Sequence, residues 1–413
     1  MRTGYLIGLL ALILAGVSAK AQEKKVKVKF NGYVAAESFF DTRKTVSSRE
    51  GAILLYPAKE SLDAEGNDLN DRSEFGMTTV HSRLRATMSG FEAFGAQGTA
   101  VIEGDFVGTS TDKTGLLRLR HAFVKLNWEK DQLLVGKYWH PMFVTSAFPR
   151  VLHFGAGLPF GLLNRSAQMR YTRKLDAKTS LSFAALSEMD FKSNGPDGSN
   201  SKYAQQSGIP EFTGQLKTEL AKGVEFGLTA GYKTIMPLTE NINGIKTDER
   251  LASCYFNTWL GVSAEKFKWN LQGIYGQNMY NFVMIGGYGV KNVKANGDYE
   301  YTNISTMNFT SDLFTTTGNI RYGLNLGYSK NMGAEDDLAQ SDGKFVGLYS
   351  RGSDIDYLYQ VAPRVEFLSG KMKFGGELIY TGAAYGTTQV DGTVADSDLV
   401  GSTRLLLHVK YSF

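Results

Sequence analysis

Cysteine is nearly absent from this 413-residue chain: Cys254 stands alone, so no intrachain disulfide contributes to its stability. Proline is scarce, at eight residues. Neither sign of charge dominates. The formal net charge is +4, falling to +2 without Arg2 and Lys20, and nothing in it argues for a nucleic-acid partner. After residue 22 no segment approaches the ~20 apolar residues of a membrane helix, and none follows a helical period. A disulfide scaffold, a nucleic-acid binder and a helical membrane protein are thereby set aside. What the chain does have is 46 glycines, 21 tyrosines and 25 phenylalanines.

Its first residues predict export. Arg2 precedes an apolar run from Leu6 to Val17, then "SAKAQ", with small Ala19 and Ala21 at A-x-A spacing. That is a secretory signal peptide spanning residues 1–21, cleaved after Ala21 to leave 392 residues from Gln22. The alternative, an uncleaved anchor, is disfavoured by the short run and the lack of a stop-transfer pattern.

One motif recurs through the rest. "FKWNLQGIYGQ" sets Phe267, Trp269, Leu271 and Tyr275 on one face and Lys268, Asn270 and Gln272 on the other. "NIRYGLNLGYSKN" sets Ile320, Tyr322, Leu324, Leu326 and Tyr328 against Arg321, Asn325 and Ser329, and "KMKFGGELIYTG" and "GVEFGLTAGYKT" repeat the scheme. Alternation of period two over such lengths predicts an all-β chain. Very short connections (129–131, 176–179, 221–223, 317–319, 369–371) alternate with long ones at about 41–74, 107–114, 141–165, 191–210, 237–249, 283–300, 333–355 and 385–400. Eight long loops imply about 16 strands, with tight turns on one side and loops on the other. A transmembrane antiparallel β-barrel over residues 22–413 has this organisation. A soluble sandwich or propeller accounts for neither the signal peptide nor the one-sided loops.

The chain stops on "RLLLHVKYSF", in mid-strand. A closed barrel has no edge, so this strand is expected to pair with the first, near "KVKVKFNGYV". Tyr411 and the terminal Phe413 resemble the C-terminal signal by which the barrel-assembly machinery recognises outer-membrane barrels, so that machinery is an expected partner, as is outer-membrane lipid.

If the apolar face meets lipid, the charges on the other face line a lumen. The phase places Arg83 and Arg85 (with His81), Glu103 and Asp105, Arg170 (with Gln168), and Arg364 (with Glu366) inside. Pro363 is expected to mark a bulge. "LLRLRHAFVKLNW" fits only with a change of phase: Arg118 and Arg120 go inside, and a bulge near His121 brings Trp128 to the interfacial aromatic girdle. Arginines facing carboxylates across a lumen create a transverse field, and the excess of arginine over acid in the first six strands favours anions. The competing reading is mutual pairing that braces the wall. The stretch 140–166, "HPMFVTSAFPRVLHFGAGLPFGLLNRS", is too apolar for an exposed loop. It is expected to fold into the lumen as the third long loop, bringing Arg150, unless it forms a subunit contact or a surface patch.

"LRLRHAFVKLNW", "LVGKYWHPMF", "GLNLGYSKNMGA" and "YQVAPRVEF" resemble segments of the DcaP-like porins of Gram-negative outer membranes, in matching order. The resemblance implies a 16-stranded homotrimeric porin with an inward third loop and a basic constriction passing small anionic solutes such as dicarboxylates. It makes Arg118 and Arg120 the leading lumen residues. Nothing between Gln22 and Lys27 forms the N-terminal coiled coil of some members, so trimers would associate through barrel walls.

The rival readings are a barrel enzyme of lipase or protease type and a surface adhesion barrel. Adjacent His81 and Ser82 point to opposite faces of a strand, no G-x-S-x-G occurs, and no catalytic residue, metal or cofactor is assigned. An energised transporter would need ~22 strands and a plug. Glu335, Asp336 and Asp337 read as a solvated run rather than a cation site, and Cys254 as a small hydrophobe.

Overall fold

The computed structural model describes residues 26–413, so the expected signal peptide lies outside the described residues. Sixteen antiparallel strands go round the barrel. In order they are β1 (Lys27–Asp41), β2 (Arg83–Ala93), β3 (Ala96–Asp105), β4 (Arg118–Asn127), β5 (Asp131–Trp139), β6 (Arg165–Lys174), β7 (Thr179–Ser187) and β8 (Glu211–Ala221). Then come β9 (Val224–Ile235), β10 (Leu251–Ser263), β11 (Phe267–Gln277), β12 (Tyr299–Thr315), β13 (Ile320–Ala334), β14 (Ile355–Ser369), β15 (Met372–Thr388) and β16 (Val394–Ser412). Three short strands, Glu74–Thr78, Gly286–Val293 and Leu348–Arg351, extend the sheet at its long-loop end.

Each strand pairs with the next, and β16 returns to β1 in a register from Tyr33↔Ser412 to Asp41↔Arg404. Phe413 continues it: its N–H donates to the Gly32 carbonyl at 3.1 Å and its carbonyl accepts from the Gly32 N–H at 3.4 Å. Closure leaves no unpaired edge, which a lipid-facing sheet requires.

The two faces follow the sequence alternation. Along β10, Tyr255, Asn257 and Trp259 are buried while Cys254, Phe256 and Thr258 are exposed. Outward apolar side chains such as Phe183, Phe309 and Leu407 form a continuous exposed belt, while Asn270, Asn308, Asn325 and Gln360 are buried on the inner face. Exposed grease outside and polar burial inside mark a barrel that lipid surrounds.

The register corrects two expectations. Pro363 marks no bulge: Val361↔Tyr380 and Arg364↔Glu377 keep one register through it, because its missing N–H deletes a bond without displacing the chain. The eighth long loop, 385–400, is instead a five-residue turn at 389–393, since β15 and β16 run on past it. That extension interposes Asp396, Ser397 and Asp398 between apolar residues, so the alternation fades while the ladder continues. By contrast, the bulge near His121 is present: Glu103 faces His121 and Gly104 faces Leu119, so Arg120 and His121 share one side. Beyond it the phase flips, and Val124 is exposed.

The long-loop end of the barrel is filled. Ile53, Leu55 and Tyr56 of the first connection, Met142, Phe143, Leu158, Phe160, Leu162 and Leu163 of the third, and Met279, Phe282 and Ile285 of the sixth share one apolar core. The hairpin Thr45–Ser48/Ile53–Pro57 was not foreseen in the first connection. It leans on β14 and β15, with Leu54 against Ala362 and Ile379 and the Tyr385 hydroxyl donating to the Pro57 carbonyl at 2.7 Å.

Candidate functional site

The segment 140–164 lies along the polar faces of strands up to seven places apart in the sixteen-stranded barrel. Its carbonyls accept from Gln215 (Pro141), Asn257 (Met142) and Gln272 (Ala147), each at 2.8 Å. Its N–H groups at Arg150, Leu152 and His153 donate to Asp312 and Glu377 at 2.8, 3.1 and 3.0 Å. A loop whose backbone bonds to β8, β10, β11, β12 and β15 is fixed to the wall at each of them.

The two predicted acids and four of the seven predicted arginines form one cluster. Arg83 and Arg85 stand opposite Asp105 and Glu103 across β2–β3, and Asp105 faces Arg118 across β3–β4. Arg118 grips Asp105 through two bonds, 2.7 and 3.2 Å. Arg120 bridges both acids, at 2.8 Å to Glu103 and 3.0 Å to Asp105, and Arg85 approaches Glu103 at 2.9 Å. Four guanidiniums share two carboxylates, so the cluster keeps two formal positive charges. The expectation of arginines facing these acids across the lumen is corrected. All six residues belong to three adjacent strands, because the two-residue β2–β3 turn puts the acids between the arginines.

A cavity of about 560 Å³ adjoins this cluster. Its charged lining is Arg83, Arg120, Arg150, Arg165, Arg321, Arg364, Lys268, Lys373 and Lys410 against one carboxylate, Glu366. Of the predicted residues, Arg83, Arg120, Arg150 and Arg364 reach it. Glu103, Asp105 and Arg85 stand behind. Arg118 lines a second cavity of about 140 Å³ with Arg49, Lys192 and Arg351. Burial and the Arg118 charge hold the Arg49 guanidinium below its ordinary value. Arg170 reaches neither lining; it donates to the Trp139 carbonyl and the Gln168 side chain. Phe154, Leu163 and no other residue line both cavities, so the third connection separates them.

Arg165 was read only as part of the apolar stretch, yet it opens β6, 1% exposed. Its guanidinium lies 5.2 Å from the ring centres of both Trp139 and Phe191, and none of its three nitrogens has a hydrogen-bond partner. The guanidinium is thus seated between two ring faces, beside the main cavity it lines. Lys268, Arg321, Lys373 and Lys410 were legible as inner-face positions but not as one lining, since they come from four strands.

Three histidines have fixed partners. His140 lies 3.0 Å from Glu211, His153 2.9 Å from Glu377, and His408 3.2 Å from Glu37. His81 faces Glu37, whereas the Ser82 hydroxyl donates to main-chain carbonyls at Thr79 and Ala35, so the two do not act together. In the loop after β13, Asp336 pairs with Lys291 at 2.8 Å and Glu335 accepts from Gln277. Cys254 is exposed on the outer face.

Among solved structures the barrel is similar to the outer membrane channel DcaP of Acinetobacter baumannii, with a TM-score of 0.66 and 18% identity over 97% of this chain and 100% of that one. It is also similar to OmpT of the Vibrio cholerae outer membrane (TM-score 0.56, 11% identity, 96% and 99% covered). A third similar structure is an anion-selective porin from Comamonas acidovorans (TM-score 0.54, 11% identity, 94% and 100% covered). No family model matches the chain. No curated protein matches it by sequence. In fold, the likeness to these outer-membrane barrels extends over nearly the whole chain: this is a closed 16-stranded antiparallel β-barrel.

Proposed function

We infer that the chain is an outer-membrane porin of the DcaP-like kind, a passive diffusion channel for small hydrophilic solutes that prefers anions. The observation that carries this is the main cavity, where nine cationic side chains face one carboxylate, and Glu366 itself pairs with Lys373 at 2.5 Å. In a low-dielectric wall such a lining concentrates anions and repels cations. Tight turns would face the periplasm and long loops the outside, as in other barrels of this class.

The fold similarity to a channel and to an anion-selective porin supports the same reading. Dicarboxylates are the favoured solutes because their two charges can meet separate cations, such as Arg150 and Arg165. Export through the residue 1–21 signal peptide, recognition of Tyr411 and Phe413 by the assembly machinery, and trimerisation through barrel walls belong to the same proposal. One of the similar Vibrio cholerae structures is described as a trimer form. Enzymatic activity is no part of this reading, since His140 and His153 are held by Glu211 and Glu377.

The test is reversal potential in a planar bilayer across a salt gradient. A stable conductance with an anion-selective potential is expected, and its blockage by succinate-sized dicarboxylates would identify the solute class. A folded barrel that conducts nothing would overturn the channel reading and favour a surface-binding barrel.

A further inference from the structure

Where the barrel closes, two histidines on the wall of the main cavity, His81 and His408, meet the carboxylate of Glu37. Glu37 on β1 stands directly opposite His408 on β16 in the closing ladder. His81 comes from the connection 79–82, between Glu74–Thr78 and β2, both of which pair with β1. Glu37, His81 and His408 are 2%, 4% and 5% exposed. His408 Nδ1 lies 3.2 Å from Glu37 Oε1, and His81 Nδ1 lies 3.6 Å from Glu37 Oε2. One ligand atom from each residue falls within 4.8 Å of the other two. The imidazole rings stack, 5.7 Å apart and 7° from parallel.

His81 Nδ1 has no hydrogen-bond partner although it is buried beside a carboxylate. Leaving a buried ring nitrogen unpaired is costly, and a native structure seldom does so without a use for it.

We propose that Glu37, His81 and His408 bind a divalent transition-metal cation of the Zn²⁺ class, with one coordination position open to the cavity. Two imidazoles and a carboxylate suit Zn²⁺ and its neighbours better than Ca²⁺ or Mg²⁺, which prefer all-oxygen sites. Tetrahedral Zn–N and Zn–O bonds of about 2.0–2.2 Å place ligand atoms about 3.3–3.5 Å apart, and each imidazole lies at about that distance from one of the two Glu37 oxygens, so a small rotation of the carboxylate brings one oxygen to both. Three protein ligands leave a fourth place for water or a solute. His81 and His408 both line the cavity, so that place faces it. Arg83 and Lys410 line the same cavity, each over the ring of Tyr33 at 5.1 and 5.2 Å. Their charge opposes the cation and favours an anion as its fourth ligand.

The bound ion would tie β1, β16 and the 79–82 connection together. His81 also stacks on Phe154 of the third connection, 5.4 Å away, which places the ion one residue from the partition between the cavities. The site requires only the closed barrel, and stands whether or not the barrel conducts.

The experiment titrates Zn²⁺ into the untagged, EDTA-stripped, refolded chain in detergent by calorimetry. One equivalent is expected to bind. His81→Gln and His408→Gln should each weaken binding by more than the roughly 10–100-fold cost of losing an outer-shell partner. If either variant misfolds, Co²⁺ added to the unaltered chain decides, through the intense visible absorption of a four-coordinate site. No Zn²⁺ heat and no Co²⁺ band, or binding that survives both substitutions in folded protein, overturns the proposal.

Discussion

Asp312 receives the guanidinium of Arg364 through two bonds of 2.8 and 3.2 Å, and its second oxygen also accepts the backbone N–H of Arg150 at 2.8 Å. Both partners' side chains are 1% exposed. One carboxylate thus joins a wall charge to the third connection. Removing one partner of a buried pair costs about 3–5 kcal/mol, because it strands the other charge. Asp312→Ala is therefore expected to lower the temperature at which the heat-modifiable barrel unfolds and to increase open-channel noise as the loop loosens. An Asp312→Ala barrel with unchanged melting and quiet conductance would contradict the tether.

Arg150 offers a cleaner test of selectivity. Its side chain is exposed and lies over the ring of Phe148, at 4.5 Å. Arg150→Ala should leave folding intact and move the reversal potential toward cations, more at low salt, where screening is weak. The double change Arg118→Ala plus Arg120→Ala should shift it further, because it leaves Glu103 and Asp105 facing only Arg83 and Arg85. Unchanged selectivity in both would remove these arginines from the solute path.

The fold was legible because a barrel strand repeats its instruction every second residue. Phe267, Trp269 and Leu271 against Lys268, Asn270 and Gln272 suffice to place β11. The phase change in β4 could also be read, since no single phase accommodates both Arg120 and Lys125. The site was less legible. Alternation states which face Arg118 or Arg170 occupies, but not whether a neighbour's carboxylate or carbonyl captures its charge. Arg165 was hidden among apolar residues, and the Glu37–His81–His408 cluster depends on the last strand meeting the first. The hairpin at 45–57 escaped notice because nothing local separates an inward loop strand from an outer one.

The connection after β7 carries a pH-sensitive group. Burial pushes the Glu188 carboxyl up to about 7, against the opposing charge of Lys233, while the Ser193 N–H and hydroxyl donate to it at 2.9 and 2.6 Å. A carboxyl whose pKa is raised on folding contributes stability that is complete below the unfolded value of 4.5 and lost as pH rises through about 7. Residues 188–210 should therefore be protected from protease at pH 5 and cut faster at pH 8. Glu188→Gln should abolish the difference, and equal cutting at both pH values in the unaltered chain would refute the assignment.

The closing strand makes a separate prediction. Gly32 exchanges both backbone bonds with Phe413, and a Cβ on Gly32 would collide with the Arg83 carbonyl. Deleting Phe413, or substituting Gly32→Val, should reduce the yield of heat-modifiable barrel in membranes. Phe413→Ala keeps the backbone bonds, so a loss confined to the cell would point to recognition of the ring. A loss on refolding into detergent as well would point to the ladder. Full yield from the deletion would mean the last pair is dispensable to closure.

Phe154 sets the strictest test of the passage. It lines both cavities, stacks on His81 and lies under the Arg118 guanidinium at 5.8 Å. The ring thus divides a cationic chamber from a smaller one at the long-loop end. Phe154→Ala removes that division but none of the nine cations, so single-channel conductance should rise while anion preference persists. The backbone bonds from Leu152 and His153 to Glu377 remain available, so the loop need not move for the gap to open. Conductance equal to that of the unaltered chain would mean that solutes bypass Phe154. The constriction would then have to be sought elsewhere along the third connection, beginning with Leu163.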